Sequence, residues 1–284
     1  MRQPHFAEIS PEVGELDPDA FADLLEDDPD EALSLLAEMS GATDETLREL
    51  ARSLAGRIAI DVARSGSMEQ VGVGRLTRMN AARAEGEIDL EASLDAILES
   101  KVLSSQLSAD RLVVSAWRKP TTSLCLLVDR SGSMLGPRLA AAAVAAAAVL
   151  FRDDTQCSII AFADDAVVLK SQVQPRPAED VVGDLLQLRG FGVTNLALAL
   201  RAARAQLDRS AANRKVTVVL SDCRVTTGGD AIRDAAALDE VVILAPAGDS
   251  EDAEALAEAI GARWTTLDGP SSIPAAFERL LGRS

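Results

Sequence analysis

Tyrosine is absent from this sequence, and aromatic residues make up only 3% of it. Two Trp and six Phe cannot fill a core for 284 residues, so Ala, Leu and Val must. That favours helices laid on an aliphatic parallel sheet whose strands are covered on both faces. Histidine occurs once, at His5, which leaves no imidazole for general-base chemistry in the body of the chain. Cysteine occurs three times, as Cys125, Cys157 and Cys223. An odd count, with two in strand-like apolar runs, speaks for reduced buried thiols and against a disulfide framework. The opening "MRQPHFAEIS" has one Arg and no apolar run after it, unlike a secretory signal. The longest apolar stretch, "LAAAAVAAAAVLF" at 139–151, is bracketed by Arg138 and Arg152. It is too short to span a bilayer and reads as a buried core helix. These absences point to the cytoplasm, with no membrane span.

Basic charge is also scarce. The formal net charge is −17. Residues 1–50 hold 15 acidic and 2 basic side chains, a net of −13, and the remainder holds 30 and 26, a net of −4. Nucleic-acid binding needs a cationic footprint, which is missing. The acidic opening reads as a solvated segment.

The chain divides by pattern into three stretches. Residues 1–42 are expected to form an acidic, partly disordered tail with one helix signal: Asp28 as N-cap, Pro29 at the first helical position and Glu31 in the first turn. Residues 43–117 read as a helical region with no strand of length. Leu47, Leu50, Leu54, Ile58 and Val62 recur there at three- and four-residue steps, giving one apolar face. Residues 118–284 alternate short apolar runs with helical stretches. Strands are expected at 123–128, 157–162, 166–169, 216–221, 241–245 and 263–267. Helices are expected at about 137–151, 178–188, 195–209, 229–237, 251–260 and 273–282. Only the second and third strands are close enough for a hairpin, so the fold class is α/β, a doubly wound and mostly parallel sheet with helices on both faces.

In such sheets ligands bind outside the carboxyl ends of the strands. Past the first strand comes Asp129-Arg130-Ser131-Gly132-Ser133, past the fourth comes Asp222, and the loop opening the helix near 195 offers Thr194. Asp129, Ser131, Ser133, Thr194 and Asp222 together make a hard-cation site: two carboxylates balance a divalent charge and three hydroxyls add neutral donors. An all-oxygen set suits Mg²⁺ or Mn²⁺ over zinc. Five groups leave a coordination position open for an outside carboxylate. The pentapeptide RSGSM occurs twice, at 64–68 and 130–134. Only the second follows an apolar strand and has an Asp two residues before its first Ser; the first has Ala63 there, and reads as a loop or helix end.

The segments "LLVDRSGSM", "GFGVTN" and "VVLSDC", separated by 65 residues from Asp129 to Thr194 and 28 from Thr194 to Asp222, resemble the three motifs of the metal-ion-dependent adhesion site in von Willebrand factor type A domains. The resemblance covers about 120–284. It implies Ser131, Ser133 and Thr194 as direct or near-direct ligands, with Asp129 and Asp222 often acting through water. Cys223 departs from the pattern, since many members carry Gly after the third-motif Asp. Further upstream, "GEIDLEASLDAIL" ahead of "RKPTTSLCLLVDRSGSM" is similar to the lead-in of CoxE-like proteins. That resemblance implies an intracellular partner of the MoxR type of AAA+ ATPase, a logic the magnesium-chelatase D subunit shares.

The expected function is therefore a metal-dependent protein-binding module and not an enzyme, capturing a partner's Asp or Glu through the cation. A hydrolase or phosphoryl-transfer enzyme using the same ion is the competing expectation, but it lacks a base beyond the ligands, and no GxxxxGK[ST] loop is present. An extracellular adhesin would fit the α/β part of the chain but not its opening.

Overall fold

The computed structural model describes residues 18–39, 45–65, 75–81, 87–102, 108–118, 122–130, 136–152, 155–188 and 192–281. It forms two compact units, one of residues 1–68 with 122–284 and one of 69–121.

The larger unit opens with three helices, α1 (Pro18–Asp27), α2 (Pro29–Met39) and α3 (Glu45–Ser65). Asp28 caps α2 as the sequence suggests: its Oδ1 accepts from the backbone N–H of Asp30 at 3.1 Å and Glu31 at 2.9 Å. The acidic opening is not solvated over this span. Ala32, Leu33, Leu35, Leu36 and Met39 are buried, and Phe21 joins them. The charge count hid this because the acids sit on the outer face while the aliphatics turn inward. On α3, Ile58 is buried and Leu54 and Val62 pack against the same core, as their spacing predicts; the side chains of Leu47 and Leu50 lie outside the described residues.

The smaller unit corrects the expectation of a helical region up to 117. It holds a three-stranded antiparallel sheet of β1 (Arg75–Asn80), β2 (Glu87–Ile88) and β3 (Val113–Arg118), ordered β1-β3-β2, with α4 (Leu90–Val102) between β2 and β3. The strands escape the sequence pattern because β2 is two residues long and β1, "RLTRMN", carries two arginines. On α4, Ser93 and Ala96 are buried, while Leu90, Leu94, Leu98 and Val102 line an exposed side.

The main sheet of the larger unit contains β4 (Thr122–Asp129), β5 (Thr155–Phe162), β6 (Ala166–Lys170), β7 (Arg214–Leu220), β8 (Val241–Pro246) and β9 (Arg263–Leu267). Their order is β6-β5-β4-β7-β8-β9, and β6 alone runs antiparallel, through its hairpin with β5. Each expected strand and helix of this region forms within two residues of its predicted bounds, the doubly wound arrangement included. Alternation along the central strand serves two cores. Leu124, Leu126 and Val128 join α5 (Pro137–Leu150), α6 (Ala178–Gln187), α10 (Ile273–Leu281) and the N-terminal helices; Cys125 and Leu127 join α7 (Leu196–Leu207), α8 (Ala231–Ala236) and α9 (Glu251–Ile260).

Beyond Arg138 in its first turn, helix α5 is apolar all round, and its alanines from Ala140 to Ala147 are buried. An all-apolar helix needs a second cover besides the sheet. Helices α2 and α3 supply it. Asp30 ties that cover to the far end of the sheet, accepting from Ser271 N–H at 2.7 Å and Ser271 Oγ at 2.9 Å. Leu36→Ala should therefore cost the whole α/β unit about 2–5 kcal/mol, the range for a fully buried leucine. Urea unfolding followed by circular dichroism checks this; an unchanged midpoint would mean that α2 is not part of the domain core.

At the opposite edge, Arg214 makes paired hydrogen bonds to Glu240 at 2.8 and 2.7 Å, and Arg263 reaches the same carboxylate. The hydrogen bond from Arg214 holds the Glu240 carboxyl below its ordinary value of 4.5. A depressed carboxylate adds stability that is present above its unfolded-state pKa and lost as pH falls through the folded one. Replacing Glu240 by Gln should cost about 1 kcal/mol at pH 7 after solvent screening. The gap in Tm to wild type should close below about pH 4.5.

Candidate functional site

Strands β4 and β7 pair in parallel with Val128 opposite Leu220, so their carboxyl ends lie side by side. Asp129 ends β4, and Asp222 follows β7 by two residues. Both side chains belong to buried residues, at 4% and 8% exposure. Ser221 joins the two ends: its Oγ donates to Asp129 Oδ2 at 2.6 Å and accepts from Cys223 N–H at 2.8 Å. Asp222 is held through both oxygens. Oδ1 accepts from Arg224 N–H at 3.0 Å and Oδ2 from the Arg138 guanidinium at 3.2 Å. Arg138 stands in the first turn of α5 and donates its other terminal nitrogen to Asp249 Oδ2 at 2.7 Å. Arg224 donates to the second oxygen of Asp249 at 2.8 Å. Asp129, Arg138, Ser221 and Asp222 line one cavity of about 310 Å³, with Leu220 and Leu267 among its apolar walls.

Thr194 is buried at the same edge but outside the lining of that cavity. Its N–H donates to Thr226 Oγ1 at 2.7 Å, and its carbonyl accepts from Thr226 N–H at 3.2 Å. Asn195 N–H donates to the carbonyl of Ala163, just past β5. Thr194 is thus fastened to the loops after β5 and β7. It is not the cap of α7; Asn195 is, accepting from Leu198 N–H at 3.1 Å. Ser131 and Ser133 lie outside the described residues. Of the other RSGSM copy, Arg64 and Ser65 close α3, and the rest lies outside the described residues.

Residues 124–224 match the family model described as von Willebrand factor type A domain. The matched span starts in β4 and closes two residues past Asp222, so it contains all five proposed ligands. Many solved structures are similar to the chain, three of them as follows. An aerotolerance-related membrane protein from Bacteroides fragilis is 17% identical over 58% of this chain and 100% of its own, with a TM-score of 0.45. A von Willebrand factor type A structure from Catenulispora acidiphila is 16% identical over 59% of this chain, with a TM-score of 0.44. The chain spans less than half the length of that protein, 43%. A conserved hypothetical protein, BatB, from Bacteroides thetaiotaomicron is 17% identical over 57% of this chain and 97% of its own, with a TM-score of 0.43. No curated protein matches the chain.

Beside the Arg138 guanidinium, the side chains that the matched segment brings to this edge are carboxylates and hydroxyls, the donor chemistry of a hard divalent cation. Among the described residues no group of three or more His, Cys, Asp or Glu forms a metal cluster. Asp129 and Asp222 bring carboxylates to the cavity, and Thr194 lies outside its lining. Sequence reasoning missed Ser221, Arg138 and Asp249. Asp249 was findable, because the rule that located Asp129 and Asp222, a polar residue just past a strand, applies equally to β8. Arg138 carried no signal, since a base in the first turn of a helix opposes the helix dipole.

Cys223 answers a question the motif raised. It has φ of +59°, the left-handed conformation that favours glycine, at the position where the resemblance implies Gly. Its thiol is pushed up to about 12, first by burial and then by the carboxylates of Asp222 and Asp129. At neutral pH it is a thiol and not a nucleophilic thiolate. Cys223→Gly should leave stability within about 1 kcal/mol of wild type, since relief of left-handed strain offsets the lost burial. Cys223→Val should cost about 2 kcal/mol or more, because a β-branched residue tolerates this φ worst. Urea midpoints of the two variants check the sign of each.

Proposed function

We propose that this protein is a cytoplasmic, non-catalytic protein-binding module that uses a divalent cation, Mg²⁺ or Mn²⁺, as the contact point. Asp129, Ser131, Ser133, Thr194 and Asp222 hold the ion, and an Asp or Glu of the partner completes its coordination. The observation that carries the reading is the pair of buried carboxylates ending adjacent parallel strands beside one cavity. Burying two like charges at one sheet edge is costly unless positive charge compensates them. A cation so placed would be the largest local charge and would attract an anionic side chain. The order and spacing of the three motifs, and the type A match over 124–224, support the same reading.

The partner we favour is a MoxR-type AAA+ ATPase or similar complex, on the likeness of residues 86–98 to CoxE-like lead-ins. Among the described residues no helix is long and apolar enough to cross a membrane, which is compatible with a partner on the same side. The catalytic reading is disfavoured by the lone histidine, at position 5, which leaves no imidazole in the α/β part of the chain.

Titration calorimetry of the full chain with Mn²⁺ tests the site. Wild type is expected to bind one ion, Asp129→Ala none, and Ser65→Ala, in the other RSGSM copy, one ion at unchanged affinity. Equal Mn²⁺ binding by wild type and Asp129→Ala would overturn the assignment.

A further inference from the structure

We propose that Arg138 is an internal counter-ion for Asp222, which a divalent cation must displace in order to bind. The inference rests on the cation reading above and concerns how that site is held without an ion.

Three observations carry it. Arg138 occupies the first turn of α5, where the helix dipole disfavours a positive charge and where no acidic residue of the helix compensates it. Something across the site must hold it there, and its described partners are Asp222 and Asp249. The two contacts are unequal: 3.2 Å to Asp222 Oδ2 against 2.7 Å to Asp249 Oδ2. The looser contact is the one on the expected metal ligand. Finally, Asp222 is pinned through its other oxygen by Arg224 N–H at 3.0 Å. Its Oδ2 can therefore exchange partners without the loop moving.

The electrostatics follow from this arrangement. Without an ion, the guanidinium neutralises Asp222 and bridges it to Asp249, whose carboxyl it holds below the ordinary range. When a divalent cation takes Asp222 Oδ2, Arg138 keeps its tighter contact with Asp249. Asp249 is anchored independently by Arg224 at 2.8 Å, so the exchange leaves no carboxylate unpaired. The cation must outcompete the guanidinium and tolerate its positive charge nearby, and both effects weaken cation binding. Arg138 thus sets a threshold concentration for occupancy and keeps the ion-free domain stable.

The test measures Mn²⁺ affinity and thermal unfolding of the full chain, with and without EDTA. Arg138→Gln is expected to bind Mn²⁺ at least tenfold more tightly than wild type. It should also unfold at a lower temperature in EDTA and gain more from added Mn²⁺. Arg224→Gln removes a guanidinium from Asp249 while leaving Asp222 Oδ2 paired, and is expected to change Mn²⁺ affinity less than threefold. Should Arg138→Gln fail to fold, Arg138→Lys keeps the charge but reaches one carboxylate at a time, and is expected to bind Mn²⁺ more tightly than wild type. If wild type binds Mn²⁺ and the Arg138 variant that folds binds it no better, the counter-ion role is overturned and the cation reading stands. If wild type binds none and Arg138→Gln does, the proposal is supported in its strongest form. If neither binds, the cation reading falls and this proposal falls with it.

Discussion

Two carboxylates buried at the ends of neighbouring parallel strands impose the main constraint on this molecule. Parallel pairing of β4 with β7 brings Asp129 and Asp222 to the same edge, and their burial forbids water from compensating them fully. What surrounds them follows from that demand. Ser221 turns its hydroxyl to Asp129, backbone N–H groups of the 221–224 turn serve Ser221 and Asp222, and Arg138 reaches across from α5. The turn is tight enough to force Cys223 into the left-handed region, a local strain that the surrounding hydrogen bonds sustain.

Positioning Arg138 links the edge to the rest of the fold. Its helix is built from alanine, which lets α5 lie close to the sheet but leaves it no polar face. The helix is tolerable only because α2 and α3 cover its outer side. The chain enters α5 through Gly136, at φ of +52°, where a side chain would meet the Glu38 carboxylate of α2 at 2.7 Å. The N-terminal helices thus touch the lead-in to the helix that carries Arg138, and Asp30 grips the loop after β9 that closes the cavity on another side. What looks like an acidic preface to the domain is part of the framework of its site.

Much of the α/β unit was legible in the sequence because its signals are local. Runs such as "SLCLLV" and "VTVVLS", short and rich in β-branched residues or leucine, read as strands covered on both faces, and the lengths between them dictate crossovers. The strand-end rule places Asp129 and Asp222 at the carboxyl edge of the sheet, where the structure also puts them. The cap at Asp28 was equally local. The smaller unit was not legible, because β1 carries charges and β2 is too short to show a period; antiparallel pairing with β3 makes them strands.

Composition, periodicity and the strand-end rule by themselves determined the fold class, the order of elements after Pro120 and two of the carboxylates at the sheet edge, Asp129 and Asp222. Each depends on residues close together in the chain. Tertiary structure alone decided that Arg138 sits against Asp222 across 84 residues and that Asp249 shares it. It alone decided that an acid-rich opening folds over an alanine helix. Those contacts join residues whose sequence separation carries no pattern, and only the packing of the sheet and its helices brings them within reach.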